Sequence, residues 1–283
     1  VRVIAPGKLV LTGAYAVLHG APAIVAAVDR YAVADSESPT VVDVHTLHDE
    51  AGRKLGLGSS AATIVAALGS RAVARGQDPR QPPVRASIFR GAREAHAREQ
   101  GGGSGVDIAA SVFGGLLRYA LTDKAPSIKS IEPPSDLVLE AFWSGTSART
   151  SDLLVKVERL RSRSRDHVAL STLHASAERA AAAIERGDTR AFVEEASAYG
   201  RALAELGQAA DAPIVPQAFA ELGAHAALAG AAFLPSGAGG GDVGVWLGVA
   251  PPPLAFVERA KSLGARHLPV SLDRGGVRPE APS

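Results

Sequence analysis

The sequence predicts mixed α and β layers, arranged in one or two domains. Strand-like and helix-like segments occur in both halves of the chain, which argues for α/β or α+β sandwich layers rather than a helical bundle. With 283 residues, 46% of them apolar, the chain is long for one core and comfortable for two.

Each element follows from its local pattern. Residues 1 to 35 place small and apolar residues around the turn His19-Gly20-Ala21-Pro22, and "AIVAAVDRYAVAD" has the β-branched content of a strand, giving strand, turn, strand. Residues 36 to 55 read as polar and irregular, with "SESPT" as a loop signal and only weak alternation in "TVVDVHTL". From Ser59 to Ala74 the period is helical and ends at Gly76 and Pro79; residues 84 to 99 form a second helix rich in Arg and Glu. A glycine cluster stops it, and "GGGSGVDIAASVFGGLLRYAL" reads as loop, short helix, glycine turn and strand. After the Pro-rich "KSIEPPSD", residues 137 to 143, "LVLEAFW", form a buried strand, followed by "SGTSARTSDLLVKVERL", a loop that caps a helix. A boundary there divides the chain into units 1–136 and 137–283. Two helical runs over 167 to 208, broken at Gly187-Asp188, then a helix, "FLPSGAGGGDVGVWLGV", a helix and a short strand complete the second unit.

A formal net charge of +1 with 21% charged residues marks neither a nucleic-acid binder nor a membrane-surface binder, so small molecules are the expected partners. The chain has no cysteine, which excludes disulfides, thiolate metal sites and a Cys nucleophile and makes the cytoplasm the expected compartment. Pro6, Gly7, Lys8 and Gly13 interrupt the apolar N-terminal stretch, which therefore reads as neither a signal segment nor a membrane span. No Met is present and the sequence begins at Val1. We therefore expect the gene product to hold further residues, and long-range spacings to be longer there.

Three glycine-rich segments carry the chemistry. In "GLGSSAA", Gly56 to Ala62, glycines allow close backbone approach, and a helix start offers unpaired N–H groups with about half a unit of positive charge. Ser59 and Ser60 add hydroxyls for a phosphate oxygen or Mg2+. Read alone, the segment fits a phosphate cradle and a structural helix N-capped by serine equally well. It also satisfies G-x-G-x-x-A, but "HDEAGRKL" is no strand and the region around Asp78 is a loop, which speaks against a dinucleotide site. The pattern G-x-x-x-x-G-K-[ST] of P-loop nucleotidases is absent. "GGGSGVDIAASVFGG" places Asp107 just after a flexible loop, and "PSGAGGGDVGV" is a further glycine turn leading into a strand. In isolation Lys8 fits a surface charge, Asp107 an N-cap, and the segment Gly237 to Gly241 an ordinary turn between helix and strand.

Taken together and in order, "APGKLVLTGAYAVLHG", "GLGSSAA" and "SGAGGGDVG" resemble the three motifs of the GHMP kinase superfamily, and the resemblance runs from Ala5 to about Gly276. It implies an α+β, two-domain GHMP kinase fold: an N-terminal domain like domain 2 of ribosomal protein S5, a ferredoxin-like C-terminal domain, and ATP and Mg2+ bound between them. "GGGSGVDIAASVFGG" resembles the corresponding segment of phosphomevalonate kinases more than the "HGNPSGVDNA" of mevalonate kinases. Gly13-Ala14-Tyr15 departs from the common "GEH" or "GEY" toward the small-residue form found in phosphomevalonate kinases. The acceptor implied is 5-phosphomevalonate, with mevalonate next, in a monomer or homodimer.

By the same resemblance Lys8 and Asp107 are the catalytic pair. Gly56, Leu57, Gly58, Ser59, Ser60, Ala61 and Ala62 hold the nucleotide, with Ser60 as a Mg2+ ligand. Tyr15, Ser104, Gly105, Ser147, Arg149, Thr150, Gly237, Ala238 and Gly239 join Lys8 and Asp107 around the substrate. The second metal ligand of mevalonate kinases falls at His96, flanked by Glu94 and Glu99, and stays open because Mg2+ prefers oxygen.

Overall fold

Small and β-branched apolar residues run through β1 (Arg2–Thr12) and β2 (Ala23–Asp35), which pair antiparallel with Val3 opposite Ala34 and Val10 opposite Val25. The computed structural model that shows this describes residues 1–100, 103–123, 125–146, 150–164 and 167–281, and only the backbone of residues 99, 100 and 150. From Val3 to Thr12 every residue of β1 is buried, so layers must cover both of its faces.

α1 (Ser59–Ala74) and α3 (Val106–Phe113) pack on β1 and β2, with α2 (Pro82–Gln100) against both helices. The short β3 (Ser38–Asp43) pairs with β2, while β4 (Leu116–Ala120) and β5 (Ser127–Ile131) extend the sheet beyond β2. Residues 36 to 55 are thus not wholly irregular: β3 hydrogen-bonds at an edge where four of its six residues are exposed.

The chain then crosses to a second antiparallel sheet. β6 (Val138–Trp143) leads to α4 (Thr150–Arg163), α5 (Val168–Glu185), α6 (Thr189–Ala209) and α7 (Gln217–Leu228). β7 (Ala232–Pro235), β8 (Val243–Gly248), α8 (Leu254–Ser262) and β9 (Arg266–Leu268) follow. The spatial order β7-β8-β6-β9 is the β-α-β-β-α-β arrangement of ferredoxin-like units. Rings of Phe142, Phe219, Phe233, Trp246 and Phe256 fill one side of this sheet edge to face. α5 and α6 pack on each other and reach back to β1, so one continuous apolar core spans both sheets.

β10 (Arg278–Pro279) returns to the first sheet and pairs with Val3 and Ile4 of β1. Asp273 pins this return: Oδ1 accepts from the N–H groups of Gly275 and Gly276, Oδ2 accepts from Tyr31 Oη at 2.9 Å, and Arg278 donates to both oxygens. Arg278 and Pro279 of the expected 137–283 unit therefore sit in the first sheet. Among the described residues no helix is long and apolar enough to cross a membrane.

Candidate active site

Lys8 owes its position to a flaw in β1. Pro6 lacks an N–H, and the register with β2 shifts between Pro6 and Gly7, a bulge that re-aims the following side chain. The Lys8 N–H then turns from the sheet to the carbonyl of Leu57 at 2.9 Å. Its aliphatic stem lies over Gly58, where an added Cβ would stand 3.0 Å from Cγ and Cε. The buried ammonium ends 3.5 Å from Asp107 Oδ2.

Two helices open beside this pair. α1 starts at Ser59 behind Gly58, a left-handed residue at φ 78° with no side-chain cap. α3 starts at Val106 behind Gly105, at φ 83°, which makes Asp107 its second residue rather than its N-cap. Neither serine caps α1, so the N–H groups of its first turn and the hydroxyls of Ser59 and Ser60 remain available to an anion. Burial pushes the Tyr119 phenol up to about 12 against an opposing pull from Arg93. As a neutral donor it bonds the Ser104 carbonyl and fixes the loop that enters α3.

The loop between β7 and β8 closes the site from the second sheet. Val10 N–H donates to Ser236 Oγ at 2.9 Å, and Tyr15 Oη donates to the Ala238 carbonyl at 2.5 Å. Burial holds the Tyr15 phenol well above its usual range. Glycine is required here for close approach. A Cβ on Gly56, at φ 76°, would meet Asp242 Cβ at 2.6 Å, and one on Gly239, at φ 77°, would meet the Ile214 carbonyl at 2.1 Å.

The result is a cleft of about 790 Å3 between the sheets. It brings together Lys8, Tyr15, Gly56, Gly58, Ser59, Ser60, Ala61, Ser104, Gly105, Asp107, Gly237, Ala238 and Gly239. Leu57 and Ala62 do not line it: both side chains lie in the core, and Leu57 contributes its carbonyl to Lys8 instead. Ser147 and Arg149 lie outside the described residues, as does the side chain of Thr150, although Ser151 and Leu154 of α4 reach the cleft. Sequence reasoning missed Lys54, Val17, Leu18 and Leu154; of these only Lys54, a cation two residues before Gly56, carried a local signal.

His96 lines the cleft, but no group of three His, Cys, Asp or Glu side chains suited to a metal occurs among the described residues. The donors present, the Ser60 hydroxyl and the Asp107 carboxylate, are oxygens. They suit Mg2+, which keeps several waters and takes few protein ligands. The uncapped α1, the close glycine backbone and the buried lysine suit the phosphates of a nucleotide.

This is the α+β, two-domain fold of the GHMP kinases. No family model matches the chain. The Listeria innocua protein Lin0012 superposes with a TM-score of 0.85 at 24% identity, over 98% of both chains. Streptococcus pneumoniae phosphomevalonate kinase, solved with phosphomevalonate and AMPPNP, gives a TM-score of 0.79 at 18% identity, over 96% of this chain and 99% of that one. In sequence the chain is similar to the phosphomevalonate kinase of Streptomyces sp. (strain CL190), with 30% identity over 256 residues, a match that covers 82% of this chain. The match spans 65% of that relative's length, just under two thirds.

Proposed function

We propose that the chain transfers the γ-phosphoryl group of Mg-ATP to 5-phosphomevalonate, giving mevalonate 5-diphosphate and ADP. The observation that carries this reading is the buried Lys8 ammonium, 3.5 Å from Asp107 and set between two glycine loops. The 30% identity to a phosphomevalonate kinase supports the choice of acceptor.

An acceptor phosphate oxygen forms the new bond to the γ-phosphorus while the bond to the bridging oxygen breaks, and its electron pair leaves with ADP. Charge spreads over the equatorial oxygens of the transferred group, so catalysis is mostly positioning and cationic stabilisation. Lys8 supplies that charge from a site largely closed to water. Asp107 orients Lys8; a phosphate acceptor, with a second pKa of about 6, is already largely deprotonated at neutral pH and needs little help from a base. Mg2+, when bound, would add charge neutralisation, and the Ser60 hydroxyl would help to hold it. The N-terminus of α1 holds the nucleotide phosphates, and Ser104, Gly105 and Ser151 with the 236–239 loop border the acceptor. The resemblance read in the sequence adds Ser147, Arg149 and Thr150 as candidates for contact with the acceptor.

We place this activity in the cytoplasm, in keeping with the absence of cysteine, in a monomer or homodimer that engages neither nucleic acid nor membrane. The test is ADP release with Mg-ATP and, in parallel, 5-phosphomevalonate, mevalonate, mevalonate diphosphate, homoserine and galactose. Turnover of 5-phosphomevalonate alone is expected. Preference for mevalonate or homoserine overturns the acceptor, and silence on all five with ATP still bound points to a ligand sensor with this fold.

A further inference from the structure

A second cavity, of about 430 Å3, shares Tyr15 with the catalytic cleft but opens among α4, α5 and the 3-10 turn Ala16–His19. Its walls combine the apolar side chains of Leu170 and Leu173 with three basic heads: His19, Arg161 and His174. The volume falls within the roughly 300–1,000 Å3 range of small-molecule sites, and mostly apolar walls with a few convergent polar groups are what such sites present.

The basic heads are poorly neutralised. Among the described residues, the carboxylate oxygen nearest Arg161 is Glu158 Oε2 at 3.7 Å and that nearest His174 is Glu178 Oε1 at 3.9 Å, both beyond hydrogen-bond reach. Among the described residues neither Arg161 nor His174 makes a side-chain hydrogen bond. The charges converge enough to be felt at His19. Burial lowers its pKa most, Arg161 and His174 lower it further, and Glu158 and the Leu18 carbonyl oppose them. An anion in the cavity reverses the unfavourable part of this balance.

We propose that this cavity binds a small organic anion, a carboxylate or phosphate carried on a short aliphatic body, at a site separate from the catalytic cleft. Arg161 and His174 take the charged end, and Leu170 and Leu173 take the aliphatic part. Nothing in the inference depends on the kinase reading, since the residues that bind are not those that line the cleft, Tyr15 apart. Tyr15 is also the physical link between the two, through its hydrogen bond to Ala238.

Hexanoate is a suitable probe because a carboxylate, with a pKa of about 4 to 5, keeps one charge across pH 6 to 8. We expect saturable calorimetric binding of hexanoate but not of hexylammonium, weakened about tenfold or more in Arg161→Gln and in His174→Gln. Lys8→Met should leave it unchanged. The Arg161 and His174 side chains are 35% and 43% exposed, so both variants should melt with wild type. Absence of saturable binding, binding lost in Lys8→Met, or affinity indifferent to both cavity variants overturns the proposal.

Discussion

Replacing Lys8 with Met keeps the aliphatic stem over Gly58 and deletes the charge, so it separates the catalytic from the structural role of this residue. At 3.5 Å from Asp107 Oδ2, Coulomb's law with an effective dielectric constant of about 20 gives a gross attraction of roughly 5 kcal/mol. Most of that offsets the desolvation of a buried ammonium. Asp107 is 36% exposed and water takes over its solvation when the lysine is gone, so the net stability change should be about 1 kcal/mol or less. That moves Tm by about 2–4 °C at most in a chain of this size. The transition state has no such substitute. Removing a preorganised charge aimed at it should cost about 2.7–4 kcal/mol, or roughly 10²–10³ in kcat. Asp107→Asn should lower kcat strongly by loosening the same ammonium, and the double variant should be little worse than Lys8→Met, because the two act as a unit. ADP-release kinetics and thermal melts on the three variants decide it. A kcat within a few-fold of wild type, or a Tm lower by more than about 10 °C, would refute the reasoning.

Gly239→Ala forces a left-handed backbone that costs about 1–2 kcal/mol and sets a methyl 2.1 Å from the Ile214 carbonyl. The loop must move, so stability should fall and substrate KM rise. Gly187→Ala, left-handed at φ 73° with nothing within 4 Å, is the matched control and should cost only about 1 kcal/mol with kinetics unchanged. Asp273→Asn removes the anchor of the C-terminal return and should cost about 3 kcal/mol at neutral pH. Burial alone would raise the Asp273 pKa, but the bonds from Arg278, the Gly276 N–H and Tyr31 outweigh it and hold the carboxyl below its usual value. Its contribution is therefore full above the unfolded pKa of about 3.9 and fades as pH falls through the lower folded value. Acid titration of wild type should show a loss in that window that Asp273→Asn lacks.

What could be read from the sequence was local. Glycines at loop positions, hydroxyls at a helix start and the apolar period of α1, α5 and α6 are all written within one or two turns of chain, and they led to the cleft and to half of its lining. β5, "SIKSI", has two apolar residues in five and lies at an exposed edge, so alternation barely marks it. β7 is four buried residues ending in Pro235, and β10 is two residues that owe their strand to β1, far away in sequence. The bulge that re-aims Lys8 is a relation between two strands and has no signature in one. Leu57 and Ala62 show the same limit inside a legible motif. The glycine pattern marked the segment, but which residues turn inward depends on how α1 lies on the sheet.

The cleft is held from both sides through one strip of chain, Val10 to Tyr15, and this yields a variant with the reverse phenotype of Lys8→Met. Tyr199, fully buried in α6, donates to the Ala14 carbonyl at 2.5 Å, next to the Tyr15 that donates to Ala238. Burial, with Tyr15 beside it, holds the Tyr199 phenol well above its usual range, so it is a donor at every pH of interest. Tyr199→Phe keeps the ring and strips the Ala14 carbonyl of that donor in a place closed to water, at a cost of about 1–3 kcal/mol. Neither residue touches the reacting groups, so kcat should change by less than about tenfold, while unfolding in urea shifts to lower concentration with an unchanged m-value. A stable Tyr199→Phe protein that has lost most of its turnover would mean that the strip transmits position to Lys8 rather than merely joining the sheets.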